Sequence, residues 1–291
     1  MPICRWIRAL AGALALSLTV AAFAADECAA PVLVLHTDAG AVEIALAPSA
    51  APRSVARLLN SDYADGLSFD VTRPNVSLQS TPLLGHETDL PMELSAAALG
   101  LHERTLDTPG AAHAIVQDHL VPAYRRSLRG DALGETLQTW LTRWYDSYDP
   151  SFLLGTSMGD VHRALGIPDT PGLDSRPVTR GSVALVPAGP DRASSKLAFF
   201  LSDSPAKTGR WPVIGEVTSG MEHLTAISRA PRHPRSLAHT TAYTPKDPVA
   251  IHDITHRCTT PSGDGASADA SAHQSRTSGR PAASPSKGET S

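Results

Sequence analysis

The chain is poor in cysteine, in charge and in long apolar runs. It has 3 cysteines in 291 residues, 19% of its residues are charged, and its formal net charge is -4. No basic run and no interleaving of basic with aromatic residues occurs, so it lacks the electrostatic footprint of a nucleic-acid binder. The one sustained apolar run, Ala9 to Ala22, is shorter than the roughly 20 residues that span a bilayer. Ser, His and Asp are plentiful, but no nucleophile elbow is recognised among them, which leaves a hydrolase unsupported.

The two ends have their own composition. Arg5 and Arg8 precede the apolar run, and Ala22-Phe23-Ala24 follows it, the layout of a secretory signal over 1–24 with an A-x-A cleavage site. The expected product is exported to the periplasm, with no membrane association after signal cleavage. Cys4 leaves with the signal, so Cys28 and Cys258 remain, and an even pair in an oxidising compartment suggests a disulfide. Closing a loop of about 230 residues stabilises by on the order of 5 kcal/mol in the chain-entropy model. Two unpaired buried thiols are the alternative. A zinc site is not expected, because neither cysteine has neighbouring ligands at metal spacing. From 259 to 291 the residues are mostly Ser, Gly, Ala, Pro and Thr with no large apolar side chain, and a disordered tail is expected there.

Between the ends, Val32 to Thr37, the turn residues Asp38-Ala39-Gly40 and the alternating Val42-Glu43-Ile44-Ala45-Leu46 predict an antiparallel hairpin with Val42, Ile44 and Leu46 facing inward. Pro52 to Asn60 predicts a short amphipathic helix with Val55, Leu58 and Leu59 on one face. Two further segments lie about 120 residues apart, Phe69 to Gln79 and Ala198-Phe199-Phe200-Leu201. Together with Thr37, Gly40, Ala51, Pro52, Ser54 and Val55, and with Gly181 to Pro190, Val213 to Val217 and Gly220-Met221-Glu222, they occur in the order found in cyclophilins. The chain thus resembles a divergent, exported cyclophilin-type peptidyl-prolyl cis-trans isomerase. The resemblance implies a mainly β fold, an eight-stranded antiparallel barrel capped by two helices, formed by 29–80 with 178–258. In that barrel the first and last strands are neighbours, the arrangement that a Cys28 to Cys258 bridge needs. It also implies a ligand class, proline-containing proteins or peptides, with no cofactor and no metal. The protein is expected as a monomer.

Isomerising an X-Pro bond requires an apolar surface for the ring, hydrogen bonds to the flanking backbone, and a cation near the prolyl nitrogen. Carried over by position, Phe200 falls at the family's pocket phenylalanine and Gln79 at its glutamine. Val76 stands at a second pocket position and Trp211 close to that of a histidine. The arginine slot holds Val71. Pro187 and Ala198 replace an asparagine and a glutamine. Arg73, two residues on and therefore on the same strand face about 7 Å along, is the candidate catalytic cation. Its alternative role is a surface ion pair with Asp70. The expected function is weak cis-trans isomerisation of X-Pro bonds in exported proteins; the alternative is a prolyl-peptide-binding or chaperone-like module without the chemistry.

The segment 82–177 is longer than the family places between its halves and is expected as a small helical subdomain. Leu133, Leu137, Trp140, Leu141 and Trp144 share a helical stripe, either packed internally or exposed to clients. Ala111 to Leu128 predicts a helix interrupted near Pro122, and Met158 to Leu165 a further short helix. The twelve histidines form no defensible site: His113 and His119 point to different helix faces, and His252 and His256 would be about 13 Å apart on a strand.

Overall fold

The alternation that begins at Pro31 is realised as strands whose apolar side chains turn inward. The structure, a computed structural model, describes residues 31–85, 89–234 and 242–258. The signal segment, Cys28 and the tail from 259 onward lie outside them. In chain order the elements are β1 (Pro31–Thr37), β2 (Gly40–Leu46), α1 (Pro52–Leu59), β3 (Phe69–Arg73), β4 (Ser77–Ser80) and β5 (Asp89–Pro91). There follow α2 (Pro109–Ile115), α3 (Val121–Ser127), α4 (Glu135–Ser147) and α5 (Met158–Ala164). The remainder is β6 (Ser182–Pro187), β7 (Arg192–Phe200), β8 (Val213–Ser219), α6 (Met221–Arg229), β9 (Arg232–Pro234), β10 (Tyr243–Pro245) and β11 (Ile251–Cys258).

All strand pairs are antiparallel, in the order β11-β1-β2-β8-β6-β7-β4-β3. The last strand returns to the first. Ser68 bridges Ala250, the Phe69 amide donates to the Val249 carbonyl at 3.1 Å, and the Ile251 amide donates to Leu67 at 2.8 Å. These bonds close an eight-stranded barrel and remove its open edges. The mainly β fold class expected from the sequence is the fold observed. Three short strands add to it: β5 pairs with β7, and β10 and β9 extend the sheet beside β3.

The barrel is filled by Leu33, Leu35, Ile44, Leu78, Val183, Leu185 and Leu197, with Phe69 and Phe199 packed edge-on at 5.7 Å. Val42, Ile44 and Leu46 face this interior as the alternation requires. Val55 and Leu58 of α1 and Leu224 and Ile227 of α6 join the same core, so these two helices bury apolar faces against the barrel. The α1 N-cap position is Ala51, which has no capping oxygen. Glu93, 4% exposed, does this work from a distance, accepting the Arg53 amide at 3.0 Å and the Ser54 amide at 2.8 Å.

The helices between β5 and β6 gather a second apolar cluster around Ile115, Val116, Leu120, Leu137, Leu141, Trp144 and Leu153. Trp144 is 7% exposed and Trp140 packs against the same cluster, so the tryptophan stripe is internal packing. The helix expected to be interrupted near Pro122 changes its winding immediately before that residue. Val116–Leu120 winds as a π-helix between α2 and α3, and Pro122 sits in the first turn of α3. The wider turn absorbs the missing proline N–H upstream of the ring.

Candidate functional site

Directly opposed residues of antiparallel strands share a face. Leu78, Phe199 and Val183 lie opposite one another and point inward. The alternate residues therefore lie on the outer face. One outer row runs Arg73, Ser77, Phe200, and the next runs Val71, Gln79, Ala198, Ala184, Val213. Phe200 meets Trp211 edge-on at 5.7 Å, and together with Val178, Ala184, Ala198 and Val213 they form a small apolar cluster outside the barrel. Arg73, Gln79, Phe200 and Trp211 are thus brought onto one surface. Phe200 is 3% and Trp211 8% exposed, so little of the aromatic pair reaches solvent. Val76 is placed apart from these four, in the β3–β4 turn, 41% exposed and one position out of the row that Ser77 occupies. Cys258 is the register partner of Pro31, three residues after Cys28.

Arg73 stands opposite Ser77 and Val71 opposite Gln79, with no slip between them, so Arg73 remains displaced along the strand from Val71. The irregularity falls one step earlier, between Phe69 and Val71, where Asp70 is the extra residue of a bulge. The bulge re-aims Asp70, whose carboxylate accepts from Lys196 Nζ at 2.6 Å. This overturns the expected Asp70–Arg73 ion pair. Arg73 instead has a buried Nε with no hydrogen-bond partner.

The turn between β7 and β8 adds two cations that the sequence reading missed. Lys207 Nζ lies over the Trp211 ring, 5.2 Å from its centre. The Arg210 and Trp211 amides both donate to the Lys207 carbonyl, at 3.0 and 3.1 Å. Burial pushes the Lys207 ammonium pKa down, and the positive charges of Arg73 and Arg210 push it further. Burial lowers Arg210 as well, with Asp118 opposing. The available signal was two basic residues, one and four positions before the pocket tryptophan.

Helical residues overlie this turn. Gly209 has φ +84, and a Cβ there would come within 2.5 Å of His162 Cε1. His119 is held down to about 3 and His162 to about 4, in both cases by burial first and by the Arg210 charge next. Both rings are therefore neutral near pH 7. A cavity of ≈ 160 Å³ lies alongside, lined by Asp118, His119 and Arg126 from the helices, by the Pro187 to Pro190 turn, and by Arg210.

Gly155-Thr156-Ser157-Met158-Gly159 has the spacing of a nucleophile elbow, which the sequence reading overlooked. Ser157 is the N-cap of α5 with ordinary extended dihedrals, φ -75 and ψ 153. Its hydroxyl donates to Asp160 Oδ2 at 2.8 Å and accepts from the Asp160 amide at 3.1 Å. It caps a helix, and among the described residues no histidine is hydrogen-bonded to it.

No family model matches the chain. Among solved structures it is similar to a cyclophilin-type peptidyl-prolyl cis-trans isomerase of Cryptosporidium parvum crystallised in the presence of the dipeptide Ala-Pro. The identity is 14% and the TM-score 0.42, over 78% of this chain and 99% of that one. A second structure of the same isomerase matches at 12% identity and a TM-score of 0.41, over 79% and 99%.

Proposed function

We propose that the outer barrel face carrying Arg73, Gln79, Phe200 and Trp211 binds prolyl segments of exported proteins and isomerises their X-Pro bonds weakly. The observation that carries this reading is the register, in which a cation with no carboxylate partner among the described residues, an amide and an aromatic pair share one surface. The aromatic cluster supplies apolar contact for a proline ring. The Gln79 amide can hold flanking backbone. Arg73 favours the pyramidal prolyl nitrogen of the twisted bond, which is stabilisation of the transition state over the ground state.

Binding without catalysis is the second reading. It is favoured by the unslipped register that keeps Arg73 along the strand from Val71, since misplacement of about 1 Å can cost on the order of 100-fold. Relaxation of an Ala-Pro-containing peptide from cis to trans, followed with wild type and Arg73→Ala, separates the two. The expected result is slow catalysis that falls about tenfold or more in the variant. Peptide binding with no acceleration by wild type would establish the second reading, and undiminished activity in Arg73→Ala would remove Arg73 from the mechanism.

The same reading takes 29–80 with 178–258 as the peptide-binding barrel, 82–177 as an inserted subdomain and 259–291 as a tail. Export through the 1–24 segment to the periplasm and a Cys28 to Cys258 disulfide belong to it. The disulfide is supported by the pairing of Pro31 with Cys258.

A further inference from the structure

We propose that Arg73, Lys207 and Arg210 form an anion subsite that holds the carboxylate of an acidic residue beside the proline of a bound peptide. This deepens the prolyl-peptide reading and rests on it. The three cations come from two elements, Arg73 from the end of β3 and the other two from the turn around the Trp211 ring. All three are partly buried. None has a carboxylate within 4 Å among the described residues, where every ion pair involves other groups.

Like charges gathered out of water are unfavourable unless something offsets them. The compensation in the protein itself is incomplete. Lys207 has the Trp211 ring face, and Asp118 acts on Lys207 and Arg210 from beyond ion-pair distance. The two nearby histidines are neutral and add neither charge nor relief. Arg73 Nε is a buried donor without an acceptor, a group that native proteins rarely leave unsatisfied. A carboxylate beside the accessible part of the Arg73 guanidinium and Lys207 would neutralise the repulsion next to the Phe200–Trp211 cluster, and it would meet Nε once the side chain turns outward. Arg210 also lines the ≈ 160 Å³ cavity, together with Asp118 and Arg126.

Fluorescence anisotropy with labelled peptides tests this. Three peptides of equal length carry Glu, Gln or Lys next to Ala-Pro, and a fourth keeps Glu but replaces Pro by Ala. The Glu-Ala-Pro peptide is expected to bind about 10- to 100-fold tighter than its Gln counterpart, the range for a charge-assisted hydrogen bond. The preference should shrink as salt is raised and vanish in Lys207→Met with Arg210→Gln. Charge reversal in Lys207→Glu with Arg210→Glu should transfer the preference to the Lys peptide, which also shows that the altered protein is folded. Equal binding of Glu and Gln peptides while Pro is still required overturns the anion subsite alone. A Glu preference that survives replacement of Pro supports the subsite and overturns the prolyl reading. Binding of none of the peptides overturns both.

Discussion

Gly209 carries a conformation and a contact that another residue would not tolerate. Its φ of +84 costs an L-residue about 1–2 kcal/mol, and a Cβ would drive into the His162 ring at 2.5 Å. Overpacking of that kind costs typically 1–3 kcal/mol. Gly209→Ala is therefore expected to lower the unfolding free energy by about 2–5 kcal/mol, measured by urea denaturation. A second change, His162→Ala, should recover the contact portion but not the backbone portion. Additivity of the two losses would show that ring and glycine do not interact. The same turn explains why the site was only half legible. Phe200 and Gln79 were recognisable from the resemblance to cyclophilins, and Arg73 because strand parity puts it on the same face as Val71. Lys207 and Arg210 were not, because an irregular turn has no period. Nor was the fate of Asp70 visible, since one bulge residue changes its direction without changing the composition of the strand.

At the scale of elements, α1 shows how a helix can depend on residues far along the chain. Ala51 offers no cap, and two of the first amides are satisfied only by Glu93, 39 and 40 residues later. Glu93→Ala leaves both amides buried or nearly so, and a loss of about 1–3 kcal/mol is expected, read as a lower denaturation midpoint. Glu93→Gln should keep part of that stability through its carbonyl oxygen while losing the favourable charge at the helix N-terminus. An unchanged midpoint in Glu93→Ala would show that water replaces the carboxylate without cost. The sequence held no signal for this contact, since nothing local to residue 51 or 93 announces it. Long alternating stretches were legible: the β1–β2 hairpin, α1 and the strands that close the ring follow from periodicity and turn residues. β5, β9 and β10 were not, because three residues are too few to display a period. Pro122 signalled a break where the chain uses a π-helical segment, a geometry that residue propensities do not encode.

For the molecule as a whole, the place where helices overlie the β7–β8 turn should govern its response to acid. His119 and His162 are 8% and 5% exposed, and their pKa values are about 3 and about 4 in the folded protein against 6.5 when unfolded. Burial opposes charging, and Arg210 beside both rings adds to it. Below pH 6.5 the unfolded chain takes up protons that the folded one refuses, so acid favours unfolding. The stabilisation is complete above about 6.5 and is lost as pH falls, until His162 protonates in the folded state near 4 and His119 near 3. Between pH 6 and 5 each histidine should remove roughly 1 kcal/mol, and the pair about 2 kcal/mol. The carboxylates lowered by hydrogen bonds, Asp38 and Asp149 among them, lose their stabilisation at lower pH, which leaves this interval to the histidines. Urea unfolding at pH 7, 6 and 5 measures the slope. His119→Gln and His162→Gln should each flatten it by about half, whatever they do to stability at pH 7. A wild-type profile that is flat from pH 7 to 5 would mean that both rings protonate without opening the structure.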